Sequence, residues 1–228
     1  MRIKAINPNT NLEMTENIGE VANSVVHEET SITAVSPDRG PQTIESFYDH
    51  FLVVPGVLNE IIEDEDQYDA FIIACYADSG IEACREVTSK PVVGIAEASM
   101  YIANMLGNEF SVTTILPRAR GLIEDTVKKV GIESHCTSVR TTDLNVDETC
   151  GTEKGRRKTV AELLTAAEKA IMEDKAEVIC LGCAGMSGLA DEIEQELDVP
   201  VVDAVAAGAV LAESLVQLNK STSKILTH

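Results

Sequence analysis

The 228-residue chain reads as an α/β protein of two pseudo-symmetric domains, each a four-stranded parallel sheet flanked by helices, with a ligand cleft between them. Three observations predict this. Short β-branched runs alternate with amphipathic stretches of period 3.6, the pattern of parallel strands joined by crossover helices. Several runs are apolar throughout, such as Ala70-Phe71-Ile72-Ile73-Ala74 and Val178-Ile179-Cys180-Leu181, as strands covered on both faces must be. The chain also repeats itself. Residues 71–81 and 179–189 both run apolar strand, Cys, three residues, Ser-Gly, branched aliphatic, with Cys75 and Cys183 separated by 108 positions. Pro91 and Pro200, each followed by two valines, are 109 apart, as are Pro8 and Pro117. So long a period is no solenoid repeat; it marks two related halves facing one another.

Taken in order, strands are expected at 2–6, 31–35, 70–74, 92–95, 110–115, 137–141, 178–181 and 201–203. Helices are expected at 10–26 (from a Thr or Asn cap), 44–63, 79–87, 96–106, 119–130, 156–173, 187–197 and 204–218. Ser79 and Ser187 have the chemistry of helix N-caps. The polar stretch 143–155 reads as a loop. The expected division is a first lobe of 1–97 plus 206–228 and a second lobe of 98–205.

Composition bounds the function. Apolar residues make up 44% and charged residues 25%, which excludes a disordered chain. No run of about 18 apolar residues exists, so no membrane-spanning helix is expected. The opening Met1-Arg2-Ile3-Lys4-Ala5-Ile6 enters a strand directly, unlike a signal peptide, and the expected location is cytoplasmic. Acidic residues outnumber basic ones 38 to 18, a net charge of −20. Such a field repels phosphate backbones and anionic membranes, and aromatics at 4% leave few platforms for stacking bases. Neither nucleic acid nor membrane is an expected partner.

The six cysteines, Cys75, Cys84, Cys136, Cys150, Cys180 and Cys183, do not form a disulfide framework in a cytoplasmic chain. Cys75 and Cys183 stand apart. Each follows a buried strand at its carboxyl end, where parallel sheets bind ligands. Each precedes a helix start, whose free amides and dipole favour negative charge. Those amides can lower a thiol's pKa or hold an enolate oxygen. If the halves face each other, the thiols approach from opposite sides, as inversion at a planar carbanion requires. One thiolate removes a proton from a carbon beside a carbonyl, and the other thiol returns one to the opposite face. No cofactor and no metal are needed if the carbonyl absorbs the charge.

Other readings remain open on the residues alone. A cysteine closing an apolar strand is commonly a small buried residue. Cys180 and Cys183 form Cys-x-x-Cys, as in redox dithiols and half zinc sites. However, Cys180 falls inside a strand, no second such motif exists, and His27, His50, His135 and His228 lack ligand spacing. Cys84 reads as helix packing, and Cys136 and Cys150 have no first-half counterpart.

With these residues in view the chain resembles the Asp/Glu/hydantoin racemase superfamily over nearly its whole length. The resemblance rests on Ile6-Asn7-Pro8-Asn9-Thr10-Asn11, Gly40-Pro41-Gln42-Thr43-Ile44-Glu45-Ser46 and Ala74-Cys75-Tyr76-Ala77-Asp78-Ser79-Gly80. It continues in Val112-Thr113-Thr114 and Leu181-Gly182-Cys183-Ala184-Gly185-Met186. Amino-acid racemase branches usually carry Gly-Cys-Thr-Glu at the second motif. Gly182-Cys183-Ala184-Gly185 is similar instead to the hydantoin and allantoin racemase branch, as is the Asn-Pro-Asn-Thr opening.

That resemblance implies cofactor-independent racemisation at C5 of a 5-substituted hydantoin, allantoin included, with Cys75 and Cys183 as the two bases. It implies that Asn9, Thr10 and Ile44 belong to substrate loops. Ser79, Gly80, Ala184, Gly185 and Met186 would present backbone amides to ring carbonyls, and Thr113 and Thr114 would line the second half. It also implies a homo-oligomer, a tetramer or hexamer. Asp78-Ser79-Gly80 departs from the family's Asp-Pro-Gly, and Thr114-Ile115-Leu116-Pro117-Arg118 from its Thr-x-x-x-Ser. The pocket around the 5-substituent is therefore this chain's own. Arg118 or Arg120 either meets an anionic or ureido group there or is a solvated helix-start Arg. The alternatives are an aspartate or glutamate racemase, a maleate isomerase of the same superfamily, or a non-catalytic small-molecule-binding protein. A decarboxylase relative would carry only the second-half Cys, so Cys75 argues against it.

Overall fold

The computed structural model of the chain describes residues 1–142, 144 and 153–225. Two four-stranded sheets form, each parallel in every pairing. The first contains β1 (Arg2–Ile6), β2 (Ser31–Val35), β3 (Ala70–Ile73) and β4 (Val92–Gly94) in the order β2-β1-β3-β4. The second contains β5 (Phe110–Thr114), β6 (Cys136–Thr141), β7 (Val178–Leu181) and β8 (Val201–Val202) in the equivalent order β6-β5-β7-β8. The sequence repeat is therefore a repeat of topology. The strands end within a residue of their expected limits, the ordinary uncertainty of element ends.

The helices follow local chemistry. Asn11 caps α1 (Leu12–Ser24) by accepting from the Met14 amide at 3.1 Å. The single helix expected at 44–63 is two, α2 (Phe47–Leu52) and α3 (Val54–Asp64). Pro55 in the first turn of α3 is the cause: a proline ring clashes with the carbonyl four residues back and donates no hydrogen bond. Ser46, not residue 44, starts α2, its side chain accepting from Asp49 N. Helices α4 (Ile81–Val87), α5 (Ile95–Leu106) and α6 (Arg120–Val130) follow, then α7 (Glu153–Asp174), α8 (Ala190–Glu194) and α9 (Ala204–Gln217). Helix α7 begins three residues earlier than expected, so 153–155 are helical. Cys150, expected in the preceding loop, lies outside the described residues. Ser79 and Ser187 do not cap helices. Gly80, at φ +77°, precedes α4, and Leu189 precedes α8.

Two helices cross between the halves. Helix α5 leaves the first sheet and packs on β5 and β7, whereas α9 leaves the second and packs on β3, β4 and α1. They meet each other where Gly208 leaves room; a Cβ there would lie 2.9 Å from Ile95 Cγ2. One apolar core thus joins both sheets, holding Ile3 and Ile72 together with Val112 and Cys180. The outer sheet faces have their own cores, around Phe71, Ile73 and Val57 in one half and Ile179, Leu181 and Leu163 in the other. Among the described residues no helix is long and apolar enough to cross a membrane.

Candidate active site

Cys75 and Cys183 each lie two residues beyond a central strand, β3 or β7. The pairing runs on one residue past each strand, through Ala74 N to Ile6 O and Gly182 N to Thr113 O, both 2.8 Å. The chain then turns tightly. Asp78 N donates to Cys75 O at 2.9 Å, and Met186 N donates to Cys183 O at 3.0 Å. The two thiols therefore occupy equivalent first positions of equivalent turns. Both line a single cavity of about 390 Å³, a volume in the range of small-molecule sites.

The loops around them are held close by absent side chains. A Cβ on Gly182 would lie 2.6 Å from Val112 Cγ1, and one on Gly185 would lie 3.1 Å from Met14 Cε and 3.6 Å from Cys183 Sγ. Helix α1 reaches across, Asn17 Nδ2 donating to Ser187 O at 3.1 Å. The Asn-Pro-Asn-Thr opening forms a hydrogen-bonded hub. Buried Asn7 donates to Asn9 Oδ1 and Thr15 Oγ1, each at 2.9 Å, and Asn11 N donates to Asn9 Oδ1. The Asn9 oxygen is thereby committed, leaving its amino group, 3.3 Å from Met14 Sδ, as a remaining donor.

A carboxylate braces each cysteine loop, from opposite directions. In the first half it is Asp78, on the cysteine loop at φ +43°, accepting from Ala96 N at 3.0 Å and Glu97 N at 2.9 Å at the start of α5. In the second half it is Asp203, at the start of α9, accepting from Val205 N and Ala206 N and, at 2.7 Å, from Gly188 N of the cysteine loop. In the repeat, Gly94 corresponds to Asp203. It is glycine because a Cβ would fall 2.2 Å from Asp78 Cγ. Burial, followed by the nearby Glu97 charge, pushes Asp78 up to about 7. Burial also raises Asp203.

The expectation of a lowered thiol is not met at Cys75. Burial pushes it up to about 12, outweighing the Ala77 amide and Ser79 hydroxyl that favour the thiolate; Cys183 and Asp78 push it further up. The helix expected at Ser79 begins at Ile81, too far on for its dipole to win.

Of the expected site residues, Asn9, Ile44, Cys75, Thr114, Cys183, Ala184 and Gly185 line the cavity. Thr10, Ser79, Gly80, Thr113 and Met186 are not among the residues that line it. Thr10 gives its amide and hydroxyl to Pro41 O. Ser79 is fully buried, its hydroxyl 3.0 Å from His50 Nδ1 and 3.9 Å from Cys75 Sγ. Gly80 sits against Val54. Met186 is fully buried in the second-half core. Thr113 and Thr114 are strand neighbours and point to opposite faces. Only Thr114 reaches the cavity, while Thr113 Oγ1 is buried without a hydrogen-bond partner.

Sequence reasoning missed Asn11, Asn17, Thr43 and Arg156, which also line the cavity. Arg156 is paired with Glu192 at 2.5 Å; its place depends on how α7 packs, for which the sequence has no signal. Arg118 instead meets Glu45 at 3.6 Å and Arg120 meets Glu124 at 2.7 Å, and neither lines the cavity. Three residues along extended backbone reverse the face, so Cys180 is buried near Ser99 O while Cys183 faces the cavity. Among the described residues no three His, Cys, Asp or Glu side chains group to hold a metal ion.

Known proteins share this arrangement of the chain. A hydantoin racemase of Pseudomonas sp. strain NS671 is 48% identical over 100% of this chain and 91% of its own. The crystal structure of allantoin racemase from Pseudomonas fluorescens superposes with a TM-score of 0.95 at 41% identity, covering 99% of this chain and 95% of that one. Allantoin racemase from Klebsiella pneumoniae gives 0.93 at 39% identity, covering 99% and 91%. The family model described as Asp/Glu/Hydantoin racemase matches residues 3–212, and the chain belongs to that family.

Proposed function

We propose that the protein is a cofactor-independent racemase of 5-substituted hydantoins, allantoin or a related ring, with Cys75 and Cys183 as its two bases. The observation that carries this reading is the presence of both thiols, on equivalent turns of the two halves, in the wall of one cavity. The likeness to hydantoin and allantoin racemases supports the substrate class.

In the reaction one sulfur, as thiolate, takes the C5 proton. The C5–H electron pair moves into the adjacent ring carbonyl to form an enolate, and the opposite thiol gives its proton to the other face of C5. The thiol and thiolate exchange places, so the reverse reaction starts from the state that the forward one leaves. Polar side chains of the lining, Asn9, Asn11, Asn17, Thr43 and Thr114, suit a ring of amides, and apolar ones, Met14, Ile44, Ile115, Leu116, Leu122 and Ile123, suit the 5-substituent. Among the described residues that line the cavity Arg156 is the only cation, already paired with Glu192. That disfavours amino-acid dicarboxylates and maleate, which need two carboxylate sites.

The lobes 1–97 with 206–228 and 98–205 are the bodies that hold the substrate between them, a division supported by the crossing of α5 and α9. The reading includes a homo-oligomer in the cytoplasm. A circular-dichroism screen of single-enantiomer 5-substituted hydantoins, alongside aspartate, glutamate and maleate, tests it. Loss of signal with one or more hydantoins is expected. Turnover confined to the amino acids, fumarate formed from maleate, or no turnover at all would reject it.

A further inference from the structure

Behind Cys75, on the side away from the cavity, lies a buried histidine that the two-thiol scheme does not use. His50 is the fourth residue of α2 and is 6% exposed. Its Nδ1 is 3.0 Å from Ser79 Oγ, and the same oxygen is 3.9 Å from Cys75 Sγ, so the one rotatable hydroxyl proton of Ser79 lies between the two. Phe51 packs edge-on against the imidazole, with ring centroids 5.0 Å apart. The charged groups facing it are Lys129 of α6 and Glu82 of α4, themselves 3.7 Å apart; those facing the sulfur are Asp78 and Cys183. No described histidine of the second half does the same. His135 meets Asn108 O at 2.8 Å.

We propose that His50 is a positioning residue that acts through Ser79, the three side chains forming a relay that converts the Cys75 thiol into the thiolate. The proposal rests on the reading of Cys75 as a base. In the step the Cys75 S–H bond breaks and its proton joins Ser79 Oγ, while the Ser79 O–H bond breaks and that proton joins His50 Nδ1. The products are a thiolate, an unchanged serine and an imidazolium, with no change of oxidation state. His50 Nδ1–H then donates to Ser79 Oγ, and Ser79 O–H donates to the sulfur, so both transferred protons end in hydrogen bonds. The relay meets the cost of burying a charged sulfur by giving it a donor and moving the counter-charge one side chain away. Burial and, next, Lys129 hold His50 below the usual range, so the imidazole is neutral before the step, and the thiolate formed beside it is the charge that has to offset that penalty.

The test is the pH dependence of Cys75 alkylation by iodoacetamide, read by mass spectrometry on the Cys75 peptide with the Cys183 peptide as internal control. His50→Asn keeps a hydrogen-bonding group near Nδ1 that cannot take the proton. Ser79→Ala removes one oxygen and carries the test should His50→Asn not fold. In each variant the Cys75 midpoint is expected to rise by about one pH unit, a roughly tenfold slower alkylation at neutral pH, with Cys183 unchanged. The acid limb of kcat/KM should move with it, equally for both enantiomers because their free energies are equal. An unchanged Cys75 midpoint in Ser79→Ala overturns the relay, as does an equal change at Cys75 and Cys183, which marks a structural role. Racemisation that survives Cys75→Ser instead rejects Cys75 as a base; the alkylation profiles still decide the relay.

Discussion

On the two-thiol proposal a thiolate on Cys75 has to form where burial pushes the thiol up to about 12, so its neighbours matter as much as the sulfur. On that proposal, replacing either sulfur removes a proton-transfer group, an expected loss of roughly 10²–10⁴-fold in kcat/KM. Cys75→Ser and Cys183→Ser should each show it by polarimetry, and inversion retained in either variant would reject the two-thiol scheme. Asp78 gives a different signature. Its folded pKa is raised from 3.8 to about 7, so the folded state binds the proton more tightly than the unfolded state. Its contribution to stability is full below the unfolded value and is lost as pH rises through about 7. Urea unfolding across that window should therefore weaken the natural chain more than Asp78→Asn, which stays neutral; equal slopes would contradict the assignment. That Cys75 and Cys183 share one cavity was legible because a repeat singles out two of six otherwise similar residues. Ser79, Gly80, Thr113 and Met186 lie off the lining, because a chain neighbour of a wall residue points away from the wall as often as into it.

Between elements, the brace from cysteine loop to following helix is built twice with the carboxylate at opposite ends. Asp78 reaches forward to α5, and Asp203 reaches back to Gly188. Gly94 is the consequence. Gly94→Ala sets a methyl against a carboxyl group that two backbone amides pin in place, and such overpacking costs about 1–3 kcal/mol. Urea unfolding should show a loss in that range; a neutral result would mean that Asp78 can leave its site freely. Strand positions were legible because buried parallel strands are apolar along their whole length. Helix ends were less so. Pro55 breaks a period that looks continuous from 44 to 63, and the apparent caps Ser79 and Ser187 lie outside the helices that follow them.

At the scale of the molecule, the sequence repeat predicted two halves and a cleft, and both sheets have the same strand order. Periodicity shows that α5 and α9 each have an apolar face, but not which sheet that face meets; no local signal encodes their crossing between halves. The same blindness hid Arg156, which reaches the cavity from a helix far along the chain. The cavity takes one sulfur from each half, so the account stands on transfer of a proton across a bound ring.

Racemisation of a single hydantoin enantiomer in heavy water, sampled early and resolved by chiral chromatography with mass detection, tests this most directly. Two opposed thiols put deuterium into the inverted product while the remaining starting enantiomer keeps its hydrogen. Deuterium entering the starting enantiomer as fast as product forms would show one group serving both faces, and would contradict the account.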